Sequence, residues 1–217
     1  MKPTHFALST ALALGMTSAS ALADKPVNIW KGLPHVTVQH NGQSVDIKRN
    51  PDNNNTVKPA FAKTSRPCPP FCIQPASLAP GVETIAEREV IDYAKRMSEG
   101  DDSIVLIDSR TSDWVSRGTI PSAINLPWTQ LNPARGASPF DIADIMQEVF
   151  GVKESEGLFD FSEAKTAILF CNGMWCGQSP NNIKNLLKFG YPAHKLKWYR
   201  GGMQDWEILG LTTVKGD

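Results

Sequence analysis

Neither sign of charge prevails in this sequence: Lys and Arg total 22, and Asp and Glu total 22. No run of like charge exceeds a pair such as Asp101-Asp102, so nothing in it would recruit nucleic acid or an anionic membrane surface. Long apolar runs are also missing. The longest apolar stretch, over residues 6–16, is interrupted by Ser9 and Thr10 and falls short of the about 20 residues that a bilayer span requires. Cysteine is scarce, at four residues (Cys68, Cys72, Cys171 and Cys176), and the four histidines have no metal-ligand spacing. The cysteine spacings are off the usual zinc pattern, so neither a metal nor a cofactor is expected.

The opening residues do carry a leader pattern: Lys2, the short apolar run, then Ala21-Leu22-Ala23 before Asp24. Cleavage after Ala23 is the expectation, giving a periplasmic or secreted protein with no membrane attachment once residues 1–23 are removed. Export would bring the four cysteines into an oxidising compartment. Four thiols allow three full pairings, and the sequence does not choose among them.

Residues 24–83 read as a small hairpin followed by an extension. From Pro34 to Ile47 apolar and polar residues alternate on either side of Asn41-Gly42, a pair suited to a tight turn. From Arg49 to Gly81 Pro and Asn dominate, which predicts an extended connector without a core of its own. Cys68 and Cys72 flank Pro69-Pro70-Phe71, a spacing that suits a disulfide tacking that connector down.

Residues 84–217 read as an α/β domain. Thr84 and Glu87 have capping-box spacing ahead of a helical pattern that Gly100 ends. A continuous apolar run, 103–108, closes on Asp108, the pattern of a buried parallel strand. Ser138, Pro139 and Asp141 open a second helix, and Thr166–Phe170 is another buried strand running into Cys171. Ser179 and Pro180 start a third helix, and 196–199 form a last strand. Strands alternating with helices predict a parallel sheet with helices on both faces, whose sites lie at the carboxyl ends of the strands. Cys171 occupies such an end.

The segment Cys171-Asn172-Gly173-Met174-Trp175-Cys176-Gly177-Gln178-Ser179 thus connects a strand end to a helix start. A helix start leaves N–H groups unpaired and favours an anion, and a thiolate there is stabilised and becomes nucleophilic near neutral pH. Gly173 and Gly177 let the backbone curl inward. Trp175 can line the mouth, while Trp114, Trp128 and Trp206 suit core or rim packing.

From Thr84 to Val214 the chain resembles the rhodanese family. The resemblance rests on Ile107-Asp108-Ser109-Arg110 followed by Asp113-Trp114, on the run from Arg117 to Pro127, on the strand ending in Cys171, and on Arg200-Gly201-Gly202-Met203-Gln204-Asp205-Trp206. It implies a sulfurtransferase in which Cys171 accepts a sulfane sulfur as a persulfide and passes it on. Backbone N–H groups from Asn172, Gly173, Met174, Trp175, Cys176, Gly177 and Gln178 would cradle the sulfur, with Asp108, Arg110 and Ser179 in support. The implied partners are a small sulfur donor or thiol acceptor, or a partner protein. Two departures stand out: Gly190 lies about two positions further from the cysteine than is common in the family, implying an enlarged loop, and the loop has no Arg or Lys. Without a guanidinium to clamp phosphate, phosphatase chemistry is disfavoured. Cys176 has two readings, a resolving thiol or a small packing residue. The alternatives to sulfur transfer are thiol–disulfide exchange through Cys171 and Cys176, and a non-catalytic binding module of the same fold.

Overall fold

A computed structural model describes residues 26–216; the leader expected over residues 1–23 lies outside the described residues. The chain first forms the expected hairpin, with β1 (His35–His40) antiparallel to β2 (Gln43–Lys48). Its turn uses Asn41 and Gly42 at φ 49° and 75°, the left-handed pair that matches strand twist. The hairpin does not stand apart. Val36, Val38 and Ile47 are buried in one apolar cluster with Val90, Ile91 and Ala94 of the helix described next.

After the extension, which contains one short helix, α1 (Pro59–Ala62), come β3 (Glu83–Ile85) and α2 (Glu87–Ser98). Then follow β4 (Ile104–Asp108), α3 (Ser112–Val115), β5 (Ile124–Asn125) and α4 (Pro139–Glu148). A minor antiparallel pair, β6 (Lys153–Ser155) with β7 (Leu158–Asp160), precedes β8 (Thr166–Phe170). The chain ends with α5 (Gln178–Lys188), β9 (Leu196–Tyr199) and α6 (Gly202–Ile208). The main sheet is five-stranded and parallel, in the order β3-β9-β8-β4-β5.

The adjacent inner strands β4 and β8 are apolar but for the terminal Asp108 and Thr166, because both faces are covered. Side chains alternate across a strand, so Ile104, Leu106, Ile168 and Phe170 join the hairpin and α2 on one face. Val105, Ile107, Ala167 and Leu169 join α4 and α5 on the other. The expected α/β sheet covered on both faces is thus present.

Two element boundaries differ from the sequence reading. Thr84 does not cap a helix: it pairs with Trp198 in the sheet, and its hydroxyl donates to the Ala76 carbonyl. The helix opens at Glu87 instead, where the Ala86 N–H donates to Glu89 Oε2. Edge pairing of β3 with β9, a contact between distant parts of the chain, outweighs the local capping signal. Similarly, α5 begins at Gln178, one residue before Ser179, with Gly177 at the cap position. The Ser138 cap of α4 forms as expected, receiving the Asp141 N–H at 3.1 Å.

Candidate active site

Strand β8 ends at Phe170 and delivers Cys171 to the carboxyl edge of the sheet. The start of the loop is held from the other side by α6, where the Met203 N–H donates to the Cys171 carbonyl at 2.9 Å and the Gln204 N–H to the Asn172 carbonyl at 3.0 Å. Gly202 makes this approach possible. It sits at φ 56°, and a Cβ there would fall 2.2 Å from the Cys171 carbonyl oxygen. Gly202 is therefore a packing requirement of the loop.

Cys171 is only 2% exposed. Ser179 Oγ lies 3.2 Å from its sulfur, and Trp198 Nε1 lies 3.2 Å from Ser179 Oγ. An indole N–H can only donate, so it occupies a lone pair of Ser179 and leaves the hydroxyl proton directed at Cys171. Burial pushes the Cys171 thiol up. Against it act the Cys176 thiol, the Ser179 hydroxyl and the Ser179 and Gly173 N–H groups, which together lower it from 9.0 to about 7. Loss of a hydrogen bond to a charged group costs about 1.5–3 kcal/mol. Ser179→Ala is accordingly expected to raise the Cys171 pKa by about one to two units, read as a shift in the pH profile of thiol alkylation.

The second thiol, Cys176, is also free and buried. Its hydrogen bond to Cys171, burial and the neighbouring sulfur charge all raise its pKa, with the Gln178 and Asn172 N–H groups opposing. Of the two, Cys171 is the thiol that ionises first. The expected backbone cradle is thus divided: Gly173 and Ser179 serve Cys171, while Asn172 and Gln178 serve Cys176. Met174 and Trp175 hold other structure. The Met174 carbonyl accepts from the Gln74 N–H at 2.8 Å, and Trp175 Nε1 donates to Gln204 Oε1 at 2.8 Å.

Asp108 and Arg110 are buried beneath the loop as an ion pair at 2.6 Å. Asp108 also accepts from the Thr119 hydroxyl, and Arg110 Nη2 donates to the Gly118 carbonyl. Arg110 Nη1 reaches Asn172 Oδ1 at 3.5 Å. The pair locks the end of β4 to residues 118–119 and touches the loop only at Asn172.

Outside the loop opens a cavity of about 350 Å³ lined by Arg66, Phe71, Trp114, Trp128, Trp175 and Cys176, among others. Cys171 is not in its wall, but its sulfur lies 3.4 Å from the carbonyl oxygen of Cys176, which is. Of the three tryptophans read as core or rim residues, Trp114 and Trp128 line this cavity, whereas Trp206 is fully buried in the core. The extension forms the facing wall. Cys68 and Cys72 are joined in the disulfide that their spacing suggested, closing the turn that carries Pro70 and Phe71. Arg200 ties the segment down through the Gln74 and Pro75 carbonyls, at 2.7 and 3.1 Å. Arg66, Phe71, Trp198 and Arg200 were not identifiable as site residues from sequence, since Arg66, Phe71 and Arg200 act across more than 100 positions and the Pro-rich segment has no periodicity to orient them. Among the described residues no group of His, Cys, Asp or Glu could hold a metal ion.

No curated protein matches this chain. Among solved structures, a Bacillus halodurans protein, BH2092, is 18% identical, with 62% of this chain and 82% of that one covered and a TM-score of 0.42. A Rhodopseudomonas palustris protein of unknown function, RPA3614, titled a possible tyrosine phosphatase, is 19% identical over 61% of this chain and 85% of that one, at a TM-score of 0.40. The human single-domain sulfurtransferase TSTD1 is 19% identical over 58% of this chain and 95% of its own, at 0.32. The comparison with protein families covers more than half of the sequence: residues 90–209, from α2 through α6, match the rhodanese-like domain. With its buried thiol at the end of β8 and its parallel sheet, the chain belongs to the rhodanese-like family.

Proposed function

We propose that this protein is a sulfurtransferase or persulfide carrier working through Cys171. The Cys171 thiolate attacks the outer sulfur of a donor X–S⁻. The S–X bond breaks, X leaves with the bonding pair, and Cys171 becomes a persulfide. An acceptor thiolate then takes the terminal sulfur, and the Cys171 thiolate returns with the electrons of the S–S bond. The observation that carries this reading is the Trp198–Ser179–Cys171 chain, which directs a hydroxyl proton at a buried sulfur whose pKa is lowered to about 7. That arrangement stabilises the thiolate form of Cys171. The leader pattern makes an extracytoplasmic setting part of the proposal. The test is intact-protein mass spectrometry after exposure to a sulfane donor, with a gain of about 32 Da expected on the peptide holding Cys171.

The proximity of the two free cysteines, with the Cys171 sulfur 3.4 Å from the Cys176 carbonyl oxygen, favours a second step within the same reading. Cys176 can attack the inner sulfur of the Cys171 persulfide, forming a Cys171–Cys176 disulfide and expelling hydrosulfide; two thiols are oxidised and one sulfane sulfur is reduced. Released sulfide, measured in a single turnover without external thiol, should approach one equivalent for the native protein and be absent for Cys176→Ser. Equal release from both would remove Cys176 from the mechanism.

A further inference from the structure

The loop 171–179 contains no cation, yet each of three tryptophans in the cavity above it carries an arginine from elsewhere in the chain. Arg66 stacks on Trp175 at 3.7 Å, Arg117 on Trp114 at 4.9 Å and Arg135 on Trp128 at 5.0 Å. All three tryptophans line the cavity, and Arg66 is its one charged wall residue. No carboxylate lines the cavity. Among the described residues Arg66 forms no ion pair, and as a wall residue it offers a guanidinium to an anionic ligand. The remaining polar wall groups are uncharged: the Asn172, Gln178 and Asn181 amides and the Cys176 thiol.

We infer that Arg66, supplied by the extension, takes the anion-binding place that the loop leaves empty, and that the cavity selects an organic sulfane donor with a single negative charge. This rests on the sulfurtransferase reading and specifies its substrate class. A small inorganic dianion such as thiosulfate is strongly hydrated and gains nothing from walls of Trp114, Trp128, Trp175 and Phe71. A thiosulfonate, R–SO₂–S⁻, combines an apolar body R for those rings with an anionic head for Arg66. The volume of about 350 Å³ is near the lower end of the roughly 300–1,000 Å³ of small-molecule sites and suits a single aromatic ring as R. In the transfer, the Cys171 thiolate bonds to the terminal sulfur, the SO₂–S bond breaks, and the sulfinate R–SO₂⁻ leaves with the bonding pair. No other oxidant or reductant enters. Arg66 would stabilise the charge that passes to the sulfinate.

The probes are benzenethiosulfonate and thiosulfate as donors, and benzenesulfinate as a non-reacting ligand. Native protein should take sulfur from benzenethiosulfonate at least about tenfold faster than from thiosulfate. Arg66→Gln should lower the benzenethiosulfonate rate by about tenfold or more at unchanged Tm. Equal rates for the two donors, or an Arg66→Gln protein as fast as the native one, would overturn the assignment while leaving sulfur transfer through Cys171 intact. Binding is read separately in the Cys171→Ser background by quenching of tryptophan fluorescence. Benzenesulfinate should saturate that signal and bind about tenfold more weakly after Arg66→Gln, whether or not any donor loads Cys171. Absence of saturable binding would sink the site itself.

Discussion

Cys171→Ser should abolish sulfur acceptance: the gain of about 32 Da disappears, and donor consumption falls by roughly three orders of magnitude or more. The size of the loss follows from the chemistry. A serine hydroxyl remains protonated at neutral pH and forms no S–S bond, so the Ser179 donor then faces an oxygen that cannot react. The fold should tolerate the change. Cys171 is held through its carbonyl by the Met203 N–H, and Ser179 can still donate to an oxygen at position 171. Cys176→Ser should still accept the first sulfur, because Cys171 is the group whose pKa is lowered, to about 7, while that of Cys176 is raised. In the native protein the loading rate should rise as pH rises through about 7 and level off above it, following deprotonation of Cys171. A flat profile between pH 5.5 and 8.5, or equal loading of Cys171→Ser, would remove Cys171 from the chemistry.

The strands were legible because their burial is two-sided: Ile104–Asp108 and Thr166–Phe170 are apolar on both faces but for the terminal Asp108 and Thr166, and that pattern has few other uses. The Asn41-Gly42 turn and the Ser138 cap were legible because each is a local signal satisfied by local atoms. Strand β3 was not, because three residues acquire strand geometry only by pairing with β9, over 100 positions later. The site divides in the same way. Cys171 and its loop could be read from a strand running into a Gly-containing turn before a helix. The wall facing that loop is built by Arg66, Pro70 and Phe71 and anchored by Gln74, and no local pattern in a Pro-rich segment indicates that it folds back onto Met174 and Trp175. Trp114 and Trp128 stay between core and rim in the sequence for a related reason: an aromatic in a cavity wall and one in a core have the same sequence signature.

Arg110→Ala should be the most destabilising single change near the site, costing about 3–5 kcal/mol in urea unfolding. Arg110 and Asp108 have side chains only 1% exposed, with Nη2 and Oδ2 at 2.6 Å. Deleting the guanidinium leaves the Asp108 carboxylate buried with the Thr119 hydroxyl and the Arg110 N–H as its remaining partners, and it leaves the Gly118 carbonyl without its Nη2 donor. Desolvation of both charges is already part of the native state, so the loss falls on the unpaired survivor. Replacing both residues with apolar ones of similar volume, Asp108→Leu with Arg110→Met, should recover much of the stability, because no charge is then buried. Activity separates the pair's two roles. Since Arg110 reaches the loop only through Asn172 Oδ1 at 3.5 Å, the double variant should regain its fold while the Cys171 pH profile stays centred near 7. A profile that moves in the stable double variant would mean that the ion pair tunes the thiolate as well as supporting it.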